Sequence, residues 1–323
     1  MKTNVESINV SDTTIIKLNN SLIHRTFKNY SIHKYLMLIF LPVAVYYIIF
    51  HYIPMYGVII AFKDYNFTDG IFGSPWVGLE YFKQMFSGET FLEVFFNTII
   101  ISAYKLIFGF PAPIILALLF NEIRNAKFKK FTQTVSYLPY FLSWVVLGGI
   151  VIQLLSPSIG PIGYVMKSLG LKPINFLADP KWFRSALVAT SVWKSVGWGS
   201  IIYLAAITGI DQEQYEAAIM DGANRLERML HITLPGLIPV ITIMFILNVG
   251  NIISDDFDQI FNLYNPAVYE TGDVISTYVY RVGLISMKYS YGTAVGLFRN
   301  VIAMILVIST NTIVKRTNEY SLW

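Results

Sequence analysis

The run from Tyr35 to Phe62 contains no Lys, Arg, Asp or Glu. About 20 apolar residues suffice for a helix to cross a bilayer, so a charge-free stretch of this length constrains the chain more than any other feature. Residues 135–155 are equally free of charge. Residues 94–120, 186–210 and 292–314 each carry one cation, namely Lys105, Lys194 and Arg299. A shorter stretch, 236–253, reaches membrane length by starting inside the loop before it. The sequence therefore predicts an all-α membrane protein with six crossings, occupying residues 34–315. Composition agrees. Charged residues make up 14% of the chain, against about a quarter in a soluble domain, and the mean hydropathy is +0.53. Pro42, Pro54, Pro111 and Pro113 fall within the expected helices, where neighbouring helices re-satisfy the freed backbone groups.

Several chemistries are excluded early. There is no cysteine, so thiolate metal sites and disulfides are unavailable. The four histidines (His24, His33, His51 and His231) show no metal-binding spacing. A net charge of +4, dispersed along the chain, gives no footprint for nucleic acid. Residues 1–33 are polar and rich in Ser, Thr and Asn, and are expected to form a disordered, basic cytoplasmic tail. The apolar run starts too late for a cleaved signal peptide, so this tail is expected to be retained. A second short tail is expected at 316–323.

Orientation follows from the cations. With the amino-terminus inside, the tail holds Lys2, Lys17, Arg25, Lys28 and Lys34, and the second loop holds Arg124, Lys127, Lys129 and Lys130. The outer loops at 63–88 and 254–291 carry more acids than cations. Loop three, with Lys167, Lys172, Lys181 and Arg184, runs against the trend. The balance places both termini in the cytoplasm.

Between the fourth and fifth crossings lies a segment too polar to span, Tyr215-Glu-Ala-Ala-Ile-Met-Asp-Gly-Ala-Asn-Arg-Leu-Glu-Arg-Met-Leu-His-Ile-Thr-Leu-Pro235. Residues 216–220 are helix formers, Gly222 interrupts them, and Asn224 can cap a second helix running to about Ile232. Pro235 is expected to reset the chain before the next crossing. This segment resembles the EAA loop of binding-protein-dependent ABC importer permeases. Glu216, Ala217, Ala218, Gly222, Ile232, Leu234 and Pro235 fall in register with that pattern. Met229 stands where an aromatic residue is common, and a methionine still fills an apolar socket.

The resemblance implies a type I importer bundle in the bacterial inner membrane. It implies a second, paralogous permease, two cytoplasmic ATPase subunits and an external solute-binding protein as partners. The loop 211–235, including Asp221, Ala223 and Met229, would dock on the ATPase. No GxxxxGK phosphate loop occurs in the chain, so ATP and Mg are expected on the ATPase and no cofactor on this chain. Asn97-Thr98 and Gly209-Ile210-Asp211 resemble the carbohydrate-importer branch. Residues 272–281 and 320–323 resemble the polysaccharide-permease subfamily, which includes importers of rhamnogalacturonan and alginate oligosaccharides.

A charge inside the bilayer normally faces a bundle interior or a cavity. Lys105 with Tyr104, Lys194 with Trp193 and Trp198, and Arg299 are therefore candidates for a solute path. Aromatic faces suit sugar rings and cations suit uronate carboxylates. The competing reading is structural. Lysines snorkel, and Arg299 can pair with Asp255, Asp256 or Asp258. An ion-coupled secondary transporter, or a permease for a non-sugar solute, is the alternative function. Ion coupling would place acids at mid-membrane, and none lies in the apolar stretches.

Overall fold

The computed structural model describes residues 34–250 and 256–317; the tail 1–33, Asp255 and residues 320–323 lie outside them. Regular structure among the described residues is helical, apart from one isolated bridge between Lys63 and Trp76. Four helices are long and apolar enough to cross a membrane: Tyr35–Phe62, Glu89–Glu122, Arg225–Val249 and Tyr289–Lys315. A bent pair, Ala126–Phe141 with Trp144–Leu155, makes a fifth if its arms count as one span.

The chain divides into two compact units between Ile59 and Ile60. In the first, the helix Lys34–Tyr47 runs into a π turn at Ile48–Tyr52, where the Ile53 amide bonds the Ile48 carbonyl. Pro54 follows directly. In a regular helix its ring would collide with the carbonyl four residues earlier, and the wider turn relieves that collision.

In the second unit the 29-residue helix Pro180–Thr208 is central. It carries the crossing expected at 186–210 as far as Thr208, but it is not among the helices long and apolar enough to span a membrane. Burial explains this, because a helix walled by other helices can carry small and polar residues at its contacts. Phe183, Leu187, Thr190, Gly197, Ser200 and Tyr203 are all buried. Phe183 and Leu187 join Ile101, Leu147, Val151 and Ile260 in the largest apolar cluster. A second cluster joins Met85, Phe91 and Val94 to Tyr278, Tyr291 and Val295.

The crossing expected at 135–155 falls on the bent pair. The chain bends by 109° between its two arms. Pro139 lies in a tight turn at Leu138–Phe141, Leu142 is extended, and Ser143 caps the next arm by accepting from the Val146 amide. A proline and a helix-starting serine within five residues end one helix and begin another. By contrast, the helix Glu89–Gly109 continues through Pro111, because Phe110 keeps helical angles of −71° and −45°.

Candidate functional site

The polar loop forms as two short helices. Asp211 caps the helix Gln212–Met220 by accepting from the Glu213 amide at 3.0 Å. Gly222 ends it with φ of +81°, and the Ala223 amide folds back to the Ala218 carbonyl at 2.8 Å. A side chain at that φ would be strained, which is why glycine stands there. Asn224 and Glu227 then satisfy each other's backbone amides at 2.7 and 3.0 Å, forming a reciprocal cap for Arg225–Arg228.

Pro235 does not reset the chain. One continuous helix runs from Arg225 to Val249, because a π turn at Met229–Thr233 precedes the proline and absorbs its missing donor. The second loop helix is therefore continuous with a candidate span. Tyr215 Oη and Thr233 Oγ1 lie 2.9 Å apart, clamping the first short helix to this junction. Arg225 reaches Glu122 at 3.9 Å across a cleft of about 650 Å³ that Arg124, Tyr215, Glu216 and Met229 also line.

Glu216, Ala217, Asp221, Gly222 and Pro235 are exposed, while Ala218, Ala223, Met229, Ile232 and Leu234 are half-buried. Met220 is 86% exposed, and Ile219, Leu226 and Leu230 are exposed beside it. Exposed apolar side chains on a polar loop are of the kind that protein partners cover.

Within the bundle the candidate cations have partners. Lys105 Nζ donates to Asp256 Oδ2 at 2.8 Å and to Gln259 Oε1 at 2.6 Å. Gln259 is fully buried and donates in turn to the Leu187 carbonyl and Thr190 Oγ1. Lys105 is thus matched by an acid that follows the apolar stretch 236–253, a pairing that hydropathy along the chain does not reveal.

Lys194 takes a different role. Its Nζ donates to the carbonyls of Tyr140 and Leu142 and sits 5.1 Å from the centre of the Trp144 ring. It therefore caps the backbone groups freed at the bend. Trp198, one turn along, stacks on Tyr140 at 4.7 Å and 6°, with Phe141 edge-on at 5.5 Å. Trp193 lies five residues from Trp198, about 140° around the helix, so the two tryptophans do not form one platform. Tyr104 and Trp193 are both exposed, and Arg299 is half-buried on the helix Tyr289–Thr317.

Two motifs that the sequence leaves separate meet in one polar network. Asn97 Nδ2 donates to the Glu270 carbonyl at 2.9 Å, and Arg184 bridges Asn97 Oδ1 and the Thr271 carbonyl. The Ile275 amide donates to Thr98 Oγ1 at 3.0 Å. Asp273 accepts from Thr277 and from Arg281, whose guanidinium lies 4.6 Å from the centre of the Tyr269 ring. Arg184 was missed because it reads as a loop cation. Only its position in the bundle shows that it ties residues 269–281 to the helix Glu89–Gly109.

Residues 109–318 match the family described as binding-protein-dependent transport system inner membrane component. The chain is 43% identical over 290 residues to the polygalacturonan/rhamnogalacturonan transport system permease protein YteP of Bacillus subtilis (strain 168), covering 90% of each chain. It is also similar to a chain in the crystal structure of a bacterial ABC transporter that imports the acidic polysaccharide alginate. There the identity is 39% and the TM-score 0.84, over 90% of this chain and 99% of that one. A second structure of an alginate transporter, in complex with its alginate pentasaccharide-bound periplasmic protein, gives 38% identity and a TM-score of 0.85 over 92% and 100%. The chain therefore belongs to the binding-protein-dependent transport system inner membrane component family, as a membrane-embedded permease subunit of an ABC importer.

Proposed function

We propose that this permease forms half of the translocation path of an importer for acidic oligosaccharides, with six crossings and both termini in the cytoplasm. The loop 211–235 couples it to a separate ATPase that holds ATP and Mg. The chain itself carries no cofactor. Residues 34–315 form the permease domain, and 1–33 and 316–323 are cytoplasmic tails. A paralogous permease completes the path, and an external binding protein delivers the solute.

The observation that carries this reading is the loop. It is capped at both short helices, continuous with a candidate span, and presents Ile219, Met220, Leu226 and Leu230 to solvent. Such a lever moves the bundle when its partner closes. The sugar class is supported by the similarity to permeases for polygalacturonan and alginate, both uronate polymers.

In the path, the Tyr140–Trp198 stack offers a face for a sugar ring, with Lys194 beside it. Lys105 and its partner Asp256 form a pair that an incoming carboxylate can open. Tyr104, Trp193 and Arg299 complete the proposed lining. A second reading, a neutral oligosaccharide, is favoured by the partners already in place: neither lysine requires an anionic solute to satisfy it.

The test compares uptake of one acidic oligosaccharide and its carboxyl-reduced form, in wild type, Lys105→Met and Lys194→Met. Selective loss of the acidic form in the variants is expected. Equal uptake of both forms, unchanged by either substitution, would overturn the acidic reading in favour of the neutral one.

A further inference from the structure

With the termini inside, the segment after the first crossing and the start of the last span face outward, and between them lies a cavity of about 300 Å³. That volume is at the lower end of small-ligand sites, about 300–1,000 Å³, and suits one sugar unit better than a whole oligosaccharide. Its walls include Asp64, Tyr65, Tyr81, Lys288, Tyr289 and Tyr291. Three half-buried tyrosines, Tyr65, Tyr81 and Tyr289, bring rings with polar tips to this volume, a side chain well suited to the mixed surface of a sugar. Tyr291 is buried, with its hydroxyl 3.2 Å from that of Tyr278.

The walls are pre-organised. Lys63, itself buried, donates to the carbonyls of Ile71 and Phe72, and the Asp64 amide donates to the Pro75 carbonyl at 2.9 Å. The Tyr65 amide donates to the buried Ser290 Oγ at 2.9 Å, and the Tyr65 ring meets Tyr289 edge-on at 5.9 Å. Tyr81 Oη donates to Asp64 Oδ1 at 2.6 Å. Burial, together with that bond and the Asp64 charge, pushes the Tyr81 hydroxyl up to about 12, so it stays protonated at physiological pH.

A cation and a strained residue share this wall with the Asp64 carboxylate. Lys288 stands at the start of the 29-residue helix Tyr289–Thr317, whose first residues, Tyr289, Ser290 and Tyr291, form part of the cavity wall and bring a helix N-terminus, the positive end of the dipole, to it. Met287, also in the lining, is the only non-glycine described residue with positive φ, at 56°. Glycine would relieve that conformation, and strain of this kind concentrates where a chain clamps a ligand.

We propose that this cavity is an outer subsite that holds one uronate unit of an oligosaccharide, with Tyr65 and Tyr289 against the ring and Lys288 on the carboxylate. The proposal rests on the acidic-oligosaccharide reading and extends it from the bundle interior to the outer face. A subsite there would retain the trailing end of the solute while its leading end enters the path.

The experiment measures trigalacturonate binding by saturation-transfer NMR on the complete importer without its binding protein. Tyr289→Ala and Lys288→Gln should each weaken binding about tenfold, with Tyr289→Phe close to wild type. The carboxyl-reduced trisaccharide should be indifferent to Lys288→Gln. Lys288 is exposed, so that variant keeps the test valid if Tyr289→Ala fails to fold. Unchanged binding in Lys288→Gln, or no binding to wild type, overturns the subsite. Uptake by the same preparations, reconstituted with the binding protein restored, separates the two readings. Uptake without cavity-dependent binding overturns the subsite alone, and absence of uptake overturns the transport reading. Weaker docking of the sugar-free binding protein to both variants, with sugar binding intact, would make the cavity a protein-docking surface and overturn the proposal.

Discussion

Lys105 and Asp256 do not contribute equally to the pair they form. The lysine side chain is 17% exposed and the aspartate 51%, so the Coulombic attraction is partly screened and is worth up to about 1 kcal/mol. Gln259 is different. Its Oε1 accepts from Lys105 in a fully buried position, and an orphaned buried acceptor costs about 1–3 kcal/mol. Asp256→Asn should therefore change stability little, whereas Lys105→Met should lower it by about 1–3 kcal/mol in a detergent-solubilised unfolding assay. Equal losses for the two substitutions would show that the ion pair, and not the glutamine, sets the energy. A sequence cannot announce such a pair. Lys105 and Asp256 are far apart along the chain, and Asp256 falls just beyond the fifth apolar stretch, where it reads as a loop acid.

Single elements were legible where local chemistry decides them and illegible where tertiary contact does. The two loop helices, the glycine break and the Asn224 cap follow from propensity and spacing, and they are present. The bend between residues 126–141 and 144–155 was hidden, because hydropathy averages across Pro139 and Ser143 while Lys194, the group that satisfies the exposed carbonyls, is remote in sequence. Continuity through Pro235 was hidden too, since a π turn leaves no compositional mark. Two glycines separate the kinds of constraint. A Cβ at Gly197 would lie 2.0 Å from the Ser136 carbonyl oxygen, so the central helix and the bent arm touch through backbone. At Gly222 a Cβ meets nothing within 4 Å, and only φ resists it. Gly197→Ala should therefore separate packed helices and cost more than about 3 kcal/mol, at the severe end of single substitutions. Gly222→Ala should cost about 1–2 kcal/mol, confined to the loop. The readouts are unfolding temperature for the bundle, and ATPase binding with uptake for the loop. Gly222→Ala should weaken the second pair and leave the first unchanged. The opposite pattern would mean that the loop helps to fold the bundle.

At the scale of the whole molecule, one chain leaves its polar interior incomplete. Asp256 is half exposed although its partner Lys105 lies inside a candidate span, and Trp198 is 43% exposed at the bend. A carboxylate at that depth needs water or protein beside it, since hydrocarbon leaves it unsolvated. The large apolar side chains exposed along the spans fit lipid, but this aromatic and charged face does not. A paralogous permease would cover it and enclose a water-filled path between the two chains, consistent with a family whose members serve binding-protein-dependent systems. Expressed alone, the chain should extract from membranes in low yield and aggregate. Co-expression with the paralogous permease and the ATPase should give a complex with one copy of each permease and two of the ATPase, measured by native mass spectrometry. Asp256→Leu weakens the need for water at that face, so it should raise the yield of the isolated chain while abolishing uptake by the complex. Recovery of a transport-competent complex containing two copies of this chain and no second permease would overturn the heterodimeric reading, because the chain would then complete its own path.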